Sequence, residues 1–133
     1  MNVLSFLTPK SHVAFLFISD TLRQAIEKME AHGYSSIPVL TDDGKYFANL
    51  STGDLLHTIR EHRMDWEQFS HVSLRDVPRS RVYEPVNANA KIEDLYSKIL
   101  VQNYVPVVDD QNIFIGIVTR KMIFDYWLKS KKV

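Results

Sequence analysis

The chain has 133 residues, with 16 basic against 16 acidic side chains, 45% hydrophobic residues and no cysteine. A formal net charge of zero argues against nonspecific binding to nucleic acid or to an anionic membrane, both of which favour a basic excess. The lack of cysteine excludes disulfides, thiolate nucleophiles and Cys-based zinc sites, and no apolar run approaches the roughly 20 residues of a membrane span. The first nine residues, Met1 to Pro9, have neither the basic start nor the long apolar stretch of a secretion signal. The expected location is the cytoplasm.

Val13 to Ile18 is a short apolar run rich in strand formers. Ser19-Asp20-Thr21 offers helix-capping side chains. Leu22, Ala25, Ile26 and Met29 follow at helical spacing, with Arg23, Gln24, Glu27 and Lys28 on the polar face. Gly33 is placed to end that helix. Ile37 to Leu40 reads as a strand opened by Pro38, Thr41 to Lys45 as a turn, and Tyr46 to Leu50 as the returning hairpin strand. Ser51 or Thr52 can cap the next helix, whose apolar face carries Leu55, Leu56 and Ile59.

A connector follows, roughly Met64 to Arg81, anchored by Trp66 and Phe69. It includes a possible one-turn helix at Ser73 to Asp76, stopped near Pro78. Val82-Tyr83 then reads as an opening strand, and Ile92, Leu95, Tyr96, Ile99 and Leu100 as a helix stripe. Val105 to Asp109 is a strand, Asp110 to Asn112 a turn, and Ile113 to Val118 a strand. Thr119 opens a final helix bearing Met122, Ile123, Tyr126 and Trp127.

The order of elements is therefore used twice. Ile37-Pro38-Val39 returns as Val105-Pro106-Val107, an offset of 106 − 38 = 68. The offset holds through Ala48 and Gly116, Ser51 and Thr119, and Leu55 and Ile123. Each half is strand–helix–strand–strand–helix, a unit too small to bury much apolar surface alone, so the halves are expected to pack as a pair. Expected boundaries are 10–63 for the first repeat, 64–72 for a connector and 73–133 for the second.

These motifs resemble a tandem CBS-domain pair, or Bateman module, over nearly the whole chain. Thr21-Leu22, Ile37-Pro38-Val39, Asp42-Asp43-Gly44 and Ala48-Asn49-Leu50-Ser51-Thr52-Gly53-Asp54 carry the likeness in the first half. Val105-Pro106-Val107, Asp109-Asp110 and Gly116-Ile117-Val118-Thr119-Arg120-Lys121-Met122 carry it in the second. The pattern departs from the family twice: Ala48 stands where a Gly is usual, and Met122 where an Asp commonly holds a ribose. The resemblance implies an α/β (α+β) fold of two CBS repeats packed with pseudo-twofold symmetry. It further implies an adenine nucleotide bound between the repeats. Within the family the chain is similar to stand-alone bacterial CBS proteins that bind cyclic di-AMP.

Ser51 and Thr119 sit at equivalent helix starts, where free N–H groups and the helix dipole suit a phosphate. Each hydroxyl can cap its own helix, meet a ligand, or do both. Arg120 and Lys121 are either a solvated basic pair or the cations of an anion site; a cation in a first turn is mildly unfavourable against the dipole, which favours the anion site. Asp54 is the ribose candidate of the first half and is otherwise a first-turn acid. From the resemblance, Val13, Ala14 and Phe15 flank an adenine, while the loop Tyr34-Ser35-Ser36 before Pro38 lines the nucleoside pocket. His12 reads as a surface residue. The five histidines show no metal-binding spacing, and no GxGxxG, P-loop or GxSxG motif is present.

The expected function is thus a non-enzymatic regulatory module without a cofactor, sensing cyclic di-AMP, AMP or ATP. Its partners would be a second copy of itself and a regulated protein, with neither nucleic acid nor membrane. The other reading is a protein-interaction module with a degenerate, ligand-free site.

Overall fold

A computed structural model describes residues 1–63, 65–79 and 82–130. Met64, which opens the expected connector, and Ser80, Arg81 and 131–133 of the expected second repeat lie outside the described residues. In chain order the elements are β1 (Thr8–Pro9), β2 (Leu16–Phe17), α1 (Leu22–His32), β3 (Ser36–Leu40), β4 (Tyr46–Ser51), α2 (Thr52–His62), β5 (Val86–Asn87), α3 (Tyr96–Ile99), β6 (Tyr104–Val108), β7 (Phe114–Thr119) and α4 (Arg120–Ser130). Two compact units result. The first, Ala14–Val82, holds the sheet β2-β3-β4. The second, Met1–Val13 with Tyr83–Val133, holds the sheet β1-β7-β6-β5.

The duplication is kept residue by residue. Ser36 and Tyr104, which open β3 and β6, are 104 − 36 = 68 apart. The same displacement separates β4 from β7 and α2 from α4. Pro38 opposes Asn49, and Pro106 opposes Ile117. In the first unit β2 pairs with β3 only from Val39 onward, so the N–H that Pro38 lacks falls where that ladder has not begun. The register slips at Val39/Leu40 and again at Val107/Val108. Positive φ falls on Gly44 in one hairpin turn and on Asn112 in the other, two residue types that tolerate it. Even the side-chain clips repeat: Ser19 Oγ donates to Asp42 at 2.6 Å, and Asn87 Nδ2 to Asp110 at 2.9 Å.

Several expectations are corrected. Strand pairing covers only Leu16 and Phe17 of the 13–18 run. There the Asp20 carboxylate accepts the Phe17 N–H at 2.8 Å and turns the chain into α1. The opening strand of the second half is Val86–Asn87 rather than Val82-Tyr83. Tyr83 instead packs its ring on Tyr104, with centroids 5.0 Å apart, and its hydroxyl accepts the Asn103 N–H. The second-half helix splits into a 3-10 turn at Ile92–Leu95 and the short α3. Only 104 − 87 = 17 positions separate β5 from β6, against 36 − 17 = 19 between β2 and β3. The tighter connection buries Ile92, Leu95 and Ile99 but leaves Leu100 exposed.

Ser73 to Val77, placed by spacing in the second repeat, packs in the first unit. Leu74 and Val77 join its core, and Ser73 Oγ donates to Ile18 O at 3.0 Å. Residues 1–9 do the same for the second unit. Asn2 caps a turn as Ser73 does, and Val3 and Phe6 are buried with that unit's core. Asn2 bridges to Lys91 as Ser73 bridges to Thr21. The segment that precedes each repeat therefore completes the other repeat's unit.

This pairing explains the first departure from the family pattern. β1 lies on β7 with Pro9 opposite Gly116, which has φ +156°. A Cβ on Gly116 would collide with the Thr8 carbonyl and stand 2.8 Å from Leu7 Cδ1. At Ala48, among the described residues, no strand pairs on the corresponding edge of β4, so a methyl is tolerated. Gly116→Ala should therefore destabilise the fold by about 1–3 kcal/mol, the usual cost of forcing atoms into a filled space. Ala48→Gly should cost no more than about 1 kcal/mol. Urea unfolding of the two variants measures the difference; equal midpoints would contradict the role given to β1.

Candidate functional site

The first unit joins the loop before β3 to the start of α2. Ser36 opposes Ser51 in the ladder, and Ser35 O accepts the Thr52 N–H at 3.0 Å. Ser51 and Asp54 form a reciprocal cap. Ser51 Oγ accepts the Asp54 N–H at 3.1 Å, and Asp54 Oδ2 accepts the Ser51 N–H at 3.0 Å. Asp54 is only 4% exposed, and one of its carboxylate oxygens serves its own helix as the returning half of the cap. Tyr34 and Ser35 are exposed, Ser36 is half-buried, and Pro38 is buried inside β3. The Tyr34 ring stacks on His32 with centroids 5.2 Å apart. Ala14 and Phe15 are half-buried. Phe15 lies edge-on to Phe17, and its carbonyl accepts from Lys28 Nζ at 2.8 Å.

A hollow of about 250 Å³ opens beside the start of α2, lined by Gly53, Asp54, His57, Pro78 and Arg79. Sequence reading passed over His57 and Arg79. Arg79 is held by the carbonyls of Val77 at 3.2 Å and Leu74 at 3.4 Å, and its guanidinium lies over the Phe47 ring. Nothing in the local sequence marks this, because the contact depends on Ser73 to Val77 packing in the first unit.

The second unit contains Thr119, Arg120 and Lys121 at the start of α4. Val13 also belongs to this unit, half-buried after a 3-10 turn at Lys10–His12, and the division between units falls between Val13 and Ala14. Thr119 Oγ1 accepts the Met122 N–H at 3.2 Å, the same cap that Ser51 makes. Met122 returns no carboxylate; its thioether receives the Thr8 hydroxyl at 3.8 Å. Lys121 projects into solvent and pairs with Asp125 at 2.8 Å. That hydrogen bond raises its pKa above the ordinary lysine value, so it stays a cation.

Arg120 departs from the exposed first-turn cation that its position suggests. It is half-buried, its N–H bonds Asn103 O at 2.9 Å, and its Nε bonds Ile99 O at 2.7 Å. A guanidinium has five donors, so one fixed Nε–H still leaves its terminal nitrogens able to grip a phosphate. Together with the helix dipole and the remaining first-turn N–H groups, this is an arrangement suited to an anion. Among the described residues no group of three His, Asp or Glu could hold a metal, and no helix is long and apolar enough to cross a membrane.

Comparison with known proteins gives the family. The CBS domain matches twice, over residues 5–61 and 74–129. Cyclic di-AMP receptor B of Bacillus subtilis (strain 168) is 23% identical over 124 residues, which is 89% of this chain and 80% of the receptor. Among solved structures, CbpB in complex with c-di-AMP has a TM-score of 0.87 at 24% identity, covering 97% of this chain and 85% of that one. CBSX2 in complex with AMP has a TM-score of 0.77 at 23% identity, covering 98% of each chain. With both matches falling on the two halves that the 68-residue offset relates, this chain belongs to the CBS-domain family, as a tandem pair.

Proposed function

We propose that the chain is a regulatory module that binds an adenine nucleotide, cyclic di-AMP before AMP or ATP, and reports occupancy to a partner protein. The observation that carries this reading is the likeness to the Bacillus receptor across most of both chains. The geometry at α4 supports it: Thr119 and Arg120 present a capped helix start and a guanidinium anchored through Nε on Ile99 O. Lys121 adds charge nearby but is tied to Asp125. The competing reading, an interaction module that binds no nucleotide, is favoured by the Ser51–Asp54 cap and by Met122. The first withdraws a carboxylate from ligand duty, and the second has none.

Thermal unfolding separates the two readings, because a ligand that binds only the native state stabilises it by about 2.7 kcal/mol at 100 times Kd. Arg120→Ala should weaken cyclic di-AMP binding about 10- to 150-fold, the effect of losing one charge-assisted contact. The loss should shrink at high salt. The variant should also be less stable by about 1–3 kcal/mol, since Ile99 O would lose its partner in a buried setting. Unchanged nucleotide affinity in Arg120→Ala would remove the phosphate role from this turn. A wild type that binds none of the three nucleotides would hand the assignment to the interaction-module reading.

We also propose a second copy of the chain as a partner. Of the apolar helix residues singled out by spacing, Leu55 and Ile123 are core, and Ile59, Tyr126 and Trp127 are half-buried. Leu56, also singled out, is exposed on α2, and Met122, Phe124 and Leu128 are the exposed apolar residues of α4. A symmetric dimer would cover such residues. Sedimentation across a wide concentration range should show a dimer that Leu56→Glu or Leu128→Glu dissociates. A monomer throughout would contradict it.

A further inference from the structure

Arg120 grips both ends of the turn that joins α3 to β6. Its N–H takes Asn103 O and its Nε takes Ile99 O. The Ile99 carbonyl depends on that second bond. A continuing helix would aim the amides of Gln102 and Asn103 at Ile99 O. Instead Gln102 N–H goes to Lys98 O at 2.8 Å, and Asn103 N–H goes to the Tyr83 hydroxyl at 3.2 Å. Ile99 itself is 1% exposed, so its carbonyl needs a protein partner. Between the two gripped carbonyls lie Leu100 and Val101, which are 74% and 65% exposed. The first half has no counterpart. Thr52, at the position equivalent to Arg120, bonds Ser35 O through its backbone but carries no cation.

We infer that Arg120 is a positioning residue linking an anion at the start of α4 to the Ile99–Asn103 turn, so that nucleotide binding stiffens the turn and fixes how Leu100 and Val101 are presented. The inference rests on the nucleotide reading above and adds the route by which occupancy reaches the surface. The guanidinium is a rigid planar fork. With Nε on Ile99 O, a phosphate held by the terminal nitrogens immobilises the same plane that clamps the carbonyl. Coupling of this kind is reciprocal: whatever loosens the turn must weaken the ligand by the same factor.

Amide exchange measured by NMR on the full chain, with and without saturating cyclic di-AMP, tests this in three proteins. In the wild type, the amides of Val101, Gln102 and Asn103 should slow on binding by about 5-fold or more, the lower end of typical site-to-site coupling. Arg120→Lys keeps the charge but replaces the rigid planar fork with one rotatable ammonium on a flexible stem, so holding a phosphate no longer fixes the group that meets the carbonyl. At matched saturation its turn should show no ligand-dependent slowing beyond that of the other amides of its unit. A purely structural role would raise exchange in the free variant and leave the ligand-dependent ratio at the wild-type value. Tyr83→Phe removes the acceptor of Asn103 N–H and should weaken cyclic di-AMP binding about 5-fold. Equal ratios in wild type and Arg120→Lys, or wild-type affinity in Tyr83→Phe, would overturn the inference while leaving nucleotide binding intact. Failure of the wild type to bind cyclic di-AMP would overturn both.

Discussion

Thr52 N–H bonds Ser35 O at 3.0 Å, and 68 positions later Arg120 N–H bonds Asn103 O at 2.9 Å. In each unit this bond ties the first residue of the closing helix to the loop that enters the proline-bearing strand. It extends the β3–β4 and β6–β7 ladders by one rung, so the helix must start where the ladder ends. The helix start then faces the loop whatever side chains the two carry. Capping hydroxyls at Ser51 and Thr119 follow from the same geometry, because the first turn's amides need acceptors. The two halves carry different side chains on the same backbone constraint.

The differences between the halves are therefore interpretable one at a time. Gly116 is required where β1 lies on β7, and Ala48 is accepted on an edge where no described strand lies. Asp54 answers the Ser51 amide, whereas Met122 leaves that task undone and turns its sulfur to Thr8. Thr52 ends at its methyl and hydroxyl, whereas Arg120 reaches on to Ile99. The first half thus closes its helix start on itself. The second carries its cations, Arg120 and Lys121, within the first turn of α4 itself, whereas the cation beside α2, Arg79, comes from the segment after the first repeat.

Much of the fold was legible because the repeat is ungapped from the proline strand onward: the hairpins, their turns and the closing helices stand where the offset puts them. The parts that misled are those where pairing partners lie far away in sequence. Val82-Tyr83 looks like a strand by composition, yet Tyr83 serves as a hydrogen-bond acceptor for Asn103, and Pro85 postpones pairing to Val86. Leu74 and Val77 read as the start of the second repeat but are core residues of the first unit. At the candidate site, the chemistry of Thr119, Arg120 and Lys121 could be named from residue type and position. Their inequality could not. That Arg120 is anchored and half-buried while Lys121 is paired in solvent depends on α3 ending at Ile99, and no local pattern announces it. Asn2-Val3-xx-Phe6 and Ser73-Leu74-xx-Val77 share a cap and two buried positions, a faint signal in the sequence of the segment that precedes each repeat.

Under the reading proposed above, this tandem CBS pair holds an adenine nucleotide through the start of α4. Isothermal titration of the wild-type chain with AMP, ADP, ATP and cyclic di-AMP, in one buffer at physiological salt, tests it most directly. Saturable binding is expected, with cyclic di-AMP the tightest of the four. No detectable heat and no competition among any of the four would contradict it.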